Sequence, residues 1–133
     1  MNGYEIIETT ADVGIDVTAD SVDALFTLAA RGMLDIMGLL DINSDSYKFS
    51  KRITLSGTME DWLVDVLTAI LGEMEFDEIF FSNVFIIISN NMAEIKFAMS
   101  HRRPVTDIKA VTYHNLVVRK NDRIYTTRII FDV

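Results

Sequence analysis

Two stretches of this chain carry a helical repeat, and most of what surrounds them alternates or runs apolar like strand. That pattern leaves few architectures open. Val22, Leu25, Phe26, Ala29, Met33, Ile36 and Met37 recur at spacings of three and four, which gathers them into one apolar stripe on a 3.6-residue helix. Asp20 or Ser21 stands where a side chain can accept from the orphan amides of the first turn. The second repeat opens on Thr58-Met59-Glu60-Asp61, a capping-box-like start with acid in the first turn. Trp62, Leu63, Val66, Leu67, Ile70, Leu71 and Met74 mark its buried stripe, and Gly72 is placed to help stop it. Met33, Met37 and Met74 fall on these stripes and read as gap-filling core rather than binding surface.

The strand signals surround the helices. Tyr4 to Glu8 and Ile15 to Ala19 flank the turn Thr10-Ala11-Asp12-Val13-Gly14, with Ile15, Val17 and Ala19 facing inward. Tyr47 to Leu55 is a further strand. Phe85 to Ser89, Asn90-Asn91 and Ala93 to Met99 form a hairpin, because Asn tolerates the positive φ of tight turns. A second hairpin runs from Lys109 to Val118, turns at Asn121-Asp122 and returns over Ile124 to Val133. Between the hairpins, Ser100 to Asp107 is the most polar loop. The order β-β-α-β-α-β-β-β-β predicts an α+β fold: a single two-layer domain over residues 1–133, a mostly antiparallel sheet with both amphipathic helices on one face.

Composition then removes whole classes of function. Lys and Arg total 12 against 20 Asp and Glu, a formal net charge of −8, the opposite of the basic face that binds a phosphate backbone. With no cysteine there are no disulfides, thiolate-held metals or thiol nucleophiles. The six glycines show neither a dinucleotide-binding nor a P-loop spacing. No G-x-S-x-G is present, and His114 sits within the expected last hairpin as a structural residue. The first residues carry no basic and apolar leader, and the apolar run Val84 to Ile88 is far too short to span a bilayer, so a cytoplasmic protein is expected.

Oxygen ligands for a hard cation remain available. Asp12 lies in the tight turn two residues before Gly14, and Asp132 is next to the last residue, Val133, whose α-carboxylate follows it. Taken alone, these positions favour the plainer reading, Asp12 closing an Asx-turn and Asp132 ending a strand in solvent. Arg102-Arg103 and Arg119, Lys120 and Arg123 read as solvated rims, while Lys109 opens the run Ala110-Val111-Thr112-Tyr113-His114.

Three motifs together carry a resemblance. Thr10-Ala11-Asp12-Val13-Gly14, Ile108-Lys109-Ala110-Val111-Thr112-Tyr113-His114 and the ending Ile129-Ile130-Phe131-Asp132-Val133 resemble the archease family in order and placement. Ser21 to Phe26, Ala29 to Met33 and Trp62-Leu63-Val64-Asp65 are similar to its two helices. The resemblance implies a non-catalytic accessory factor that activates an RtcB-type tRNA-splicing RNA ligase by promoting its guanylylation and turnover. It implies metal ligands at Asp12, Asp132 and the terminal carboxylate of Val133, with Ca2+ or another hard divalent cation such as Mn2+ or Mg2+. Lys109 is the implied contact to the partner or its nucleotide, with no strong direct nucleic-acid binding and no membrane. The chain departs from the family pattern at Thr9, where many archeases carry His, at Ala69, where a Glu is usual, and at Ser100-His101, in place of Gly-Glu. The competing readings are a metal-dependent phosphoester hydrolase using the same acids and a general chaperone-like interaction module.

Overall fold

The computed structural model describes residues 2–133, apart from the side chain of Asp77. Its elements are β1 (Gly3–Glu8), β2 (Val13–Ala19), α1 (Val22–Ile36), β3 (Tyr47–Thr54), α2 (Met59–Asp77), β4 (Phe81–Ser89), β5 (Met92–Met99), β6 (Ala110–Val111), β7 (Arg119–Asn121) and β8 (Ile124–Asp132). All the strand pairings are antiparallel, and the fold is α+β as expected. The strands divide between two sheets: β1-β2-β8-β6, with β7 also paired to β8, and β3-β5-β4.

Local chemistry sets the boundaries. Ser21 caps α1, its hydroxyl accepting from the Ala24 amide at 3.1 Å. At α2 the Thr58 hydroxyl accepts from the Asp61 amide at 3.2 Å, and the Asp61 carboxylate accepts from the Thr58 amide at 2.9 Å, a reciprocal capping box. Gly72 does not end this helix, contrary to expectation: α2 continues to Asp77, and Glu78 stops it in the left-handed conformation at φ 53. The Asn90-Asn91 turn has both residues at positive φ, 52 and 59, the conformation that matches the twist of a two-residue hairpin.

One hydrophobic cluster receives side chains from both helices and both sheets, including Ile15, Phe26, Leu67, Ile95 and Phe131. Ile15, Val17 and Ala19 face it as the alternation predicts, and Met33, Met37 and Met74 are buried within it. Helix α1 also runs beside the edge of β4 that no strand covers. Asp23, Thr27 and Arg31, one helical turn apart, meet the β4 backbone at alternate residues. The Ile88 amide donates to Asp23 Oδ1 (2.9 Å) and the Ile86 amide to Thr27 Oγ1 (3.0 Å), while Arg31 Nε donates to the Val84 carbonyl (3.2 Å). The helical repeat of four and the strand repeat of two thus coincide along the edge.

The expected strand from Lys109 to Val118 is largely absent. Only Ala110–Val111 pairs with β8, and pairing resumes at Arg119. Between them Asn115 adopts φ 53 and the Leu116 amide closes a turn onto the Tyr113 carbonyl at 3.0 Å. The start of α2 supplies the competing partners. Glu60 Oε2 accepts from the Val118 amide at 2.7 Å, and the Tyr113 hydroxyl donates to Asp61 Oδ1 at 2.9 Å. His114 is accordingly exposed on this loop rather than held inside a strand. Among the described residues no helix is long and apolar enough to cross a membrane.

Candidate functional site

The site begins with a four-residue turn. The Thr9 amide donates to the Asp12 carbonyl at 2.9 Å, and the Thr9 hydroxyl accepts from the Asp12 amide at 3.0 Å. Thr9 therefore fixes the backbone from which the exposed Asp12 side chain projects. Immediately after it, β2 enters the middle of its sheet, pairing Val13 with Phe131. Gly14 is required there, because a Cβ would collide with the Ile129 carbonyl oxygen and lie 2.9 Å from the Ile130 side chain.

Asp12 immediately precedes the Val13–Phe131 pair and Asp132 immediately follows it, so both adjoin the same end of the β2–β8 ladder. On the other side of β8, Ala110 pairs with Asp132, and the Lys109 amide donates to the Asp132 carbonyl at 2.7 Å. Asp12, Lys109, Asp132 and Val133 thus all adjoin one end of the β1-β2-β8-β6 sheet, and all are exposed. The Asp12 and Asp132 carboxylates have no hydrogen-bond or ion-pair partner among the described residues, whereas Asp16, four residues up β2, is bound by Arg128 at 2.7 and 2.9 Å. That guanidinium holds the Asp16 carboxyl below the usual carboxylate range.

As a donor set, this end of the sheet offers carboxylate oxygen and neither imidazole nor thiolate, which suits a hard cation. Among the described residues no three His, Cys, Asp or Glu side chains form a metal-holding group, so a third anionic ligand has to come from elsewhere. Lys109 also lines a cavity of about 360 Å³ with Arg103, Asp107, Glu75 and Glu78, which places its side chain among charges of both signs.

The loop that follows Lys109 is held by two acids that sequence patterning had assigned only to a helix cap. Asp61 is kept below its ordinary range chiefly by the Thr58 amide and then by the Tyr113 hydroxyl, and Glu60 is kept low chiefly by the Val118 amide. Tyr113 is pushed up in turn by its bond to Asp61. Acid in a first turn was legible; its second role, reaching across to a loop more than fifty residues later, carries no local signal.

The fold and this acidic sheet end define a small antiparallel α+β protein. The sequence profile of the archease protein family matches residues 4–133. The chain is 26% identical over 141 residues to protein archease of Sulfolobus acidocaldarius, covering 100% of each. It is 28% identical over 142 residues to the Methanosarcina mazei protein, covering 98% of this chain and 95% of that one. A solved structure of protein 1598 from Methanobacterium thermoautotrophicum shares the fold with a TM-score of 0.72 at 22% identity, over 100% of both chains. A Thermotoga maritima archease, described as a possible chaperone, also gives 0.72, at 25% identity over 97% of this chain and 96% of that one. The chain belongs to the archease protein family.

Proposed function

We propose that this chain is a non-catalytic accessory factor that activates an RtcB-type tRNA-splicing ligase, promoting guanylylation of the ligase and its turnover. The observation that supports the reading is that two aspartates without ion-pair partners among the described residues, Asp12 and Asp132, adjoin the same end of the β2–β8 ladder in a member of the archease family. Like charges so placed repel, and the pair favours an added cation. In a chain whose last residue is Val133, the α-carboxylate completes a three-carboxylate donor set for Ca2+, Mn2+ or Mg2+. When bound, such an ion neutralises the carboxylates and offers open coordination positions to a partner's oxygen atoms. Thr9 closes the turn that carries Asp12, and Gly14 admits the close approach of β2 to β8. Lys109, tied by its amide to the Asp132 carbonyl, presents its ammonium to the ligase or to a nucleotide phosphate. A net charge of −8 favours docking on a basic, RNA-handling enzyme over direct RNA binding, and the setting is cytoplasmic.

The test is a guanylylation assay on the purified ligase with calcium, manganese or chelator. Asp12→Ala and Asp132→Ala, each confirmed folded by circular dichroism, are expected to abolish stimulation. Full stimulation by both variants overturns the proposed site. Absence of any stimulation by the wild-type chain overturns the function.

A further inference from the structure

A second cavity, of about 500 Å³, opens where the segment after α1 meets the start of β3, the start of β4 and the end of β5. It shares no residue with the Asp12–Asp132 site. Its walls carry three basic side chains, Lys48, His101 and Arg102, and hydroxyls that include Ser44, Ser82 and Ser100. Asp41 is its one carboxylate, and Asp41 Oδ1 already accepts from the Asn43 amide at 3.0 Å. Counting Lys48, Arg102 and Asp41, the formal charge of the lining is +1 with His101 neutral, on a chain whose net charge is −8. Neither Lys48 nor Arg102 forms an ion pair among the described residues.

The walls are built rather than loose. The floor is Ser82, 6% exposed, whose hydroxyl lies 2.7 Å from the Ser44 hydroxyl and 3.1 Å from the Met99 carbonyl. Backbone bonds tie the rim to the sheet, from the Asp41 amide to the Ser82 carbonyl and from the Ser100 amide to the Phe80 carbonyl, both 2.8 Å. The Ser100 hydroxyl accepts from the Arg102 amide at 2.9 Å, which sets where the Arg102 side chain leaves the turn. A guanidinium and an ammonium around one concavity, with the Ser44 hydroxyl that accepts from Ser82, are the donors that tetrahedral oxyanions select.

We propose that this cavity binds a phosphate group, carried either as inorganic phosphate or as a small phosphate monoester. The volume exceeds what a bare ion fills and leaves room for a compact organic body beside it. Isothermal titration calorimetry with inorganic phosphate, and separately with adenosine 5′-monophosphate, tests it at low ionic strength. Binding of at least one probe is expected, weakened roughly tenfold or more by Lys48→Ala and by Arg102→Ala. Arg119→Ala on β7 removes the same charge elsewhere and is expected to leave affinity unchanged. Amide resonances of Ser82 and Ser100 should shift on titration. Equal affinity for the two probes assigns the site to the phosphate group itself, and tighter binding of the monoester assigns it to the ester; both support the proposal. No heat and no amide shift with either probe at millimolar concentration overturns it. So does a loss in Arg119→Ala equal to that in Lys48→Ala and Arg102→Ala, which would mark a diffuse charge effect.

Discussion

Thr27→Val tests whether α1 truly closes the edge of β4. Thr27 is 7% exposed and Ile86 fully buried. The Thr27 hydroxyl accepts from the Ile86 amide at 3.0 Å and donates to the Ile86 carbonyl at 3.3 Å. Valine keeps the shape and the β-branch, so helix propensity and packing barely change, but the hydroxyl becomes a methyl. Two buried backbone groups then lose their partner, at about 1–3 kcal/mol each in the worst case. Burial of one more apolar carbon returns about 0.8 kcal/mol. The expected net loss is about 2 kcal/mol. With a urea slope of about 2 kcal/mol per molar, the unfolding midpoint, followed through the single tryptophan, Trp62, should fall by about 1 M at unchanged slope. Thr27→Ser keeps the hydroxyl and loses only a methyl, so it should cost about 1 kcal/mol or less. A Thr27→Val protein as stable as wild type, or one more stable than Thr27→Ser, refutes the reasoning.

Gly14→Ala should destabilise by about 1–3 kcal/mol through overpacking against Ile129 and Ile130, read as a lowered melting temperature; an unchanged one would mean the β2–β8 approach is looser than described. The Tyr113–Asp61 bond should open at both ends of the pH scale. Asp61 and Glu60 have folded pKa values lowered from 3.8 and 4.5, so their contribution is present above about pH 4.5 and lost as pH falls through the folded values. Tyr113 is raised from 10.0, so its contribution is present below about pH 10 and lost as pH rises through the folded value. Hydrogen exchange at residues 113–118 should therefore accelerate at both extremes, and Tyr113→Phe should remove the alkaline limb; a flat profile would dissociate the loop from Asp61. Residues appended after Val133 should weaken calcium affinity in calorimetry, and unchanged affinity would remove the terminal carboxylate from the ligand set.

The helices were legible because their signals are local: a stripe at spacings of three and four, and the Thr58 capping box. The alternation of Ile15, Val17 and Ala19 gave the inward face of β2 correctly for the same reason. Residues 112–118 were not legible, since their strand-like composition is overruled by Glu60 and Asp61, which lie far away in sequence. The same applies to the division into two sheets, because strand composition does not say which strands pair. At the candidate site, sequence motifs named Asp12, Lys109, Asp132 and Val133, which adjoin the ends of β2, β6 and β8. What the motifs could not supply was the scaffold, Thr9 closing the turn and Gly14 admitting the close approach.

The row of Asp23, Thr27 and Arg31 also bears on the order in which the molecule is made. The β4–β5 hairpin closes through a two-residue turn and can form from local contacts, which would expose β4's open edge as a template for another chain. The side chains that cover that edge lie in α1, and Thr27 reaches Ile86 across 59 residues of sequence. Because α1 is synthesised first, the cover is already outside the ribosome when the edge emerges, and the hazardous interval ends as soon as the two meet. A circular permutant that places α1 after β5 would reverse that order while keeping the same final contacts, and would carry its bare edge through synthesis.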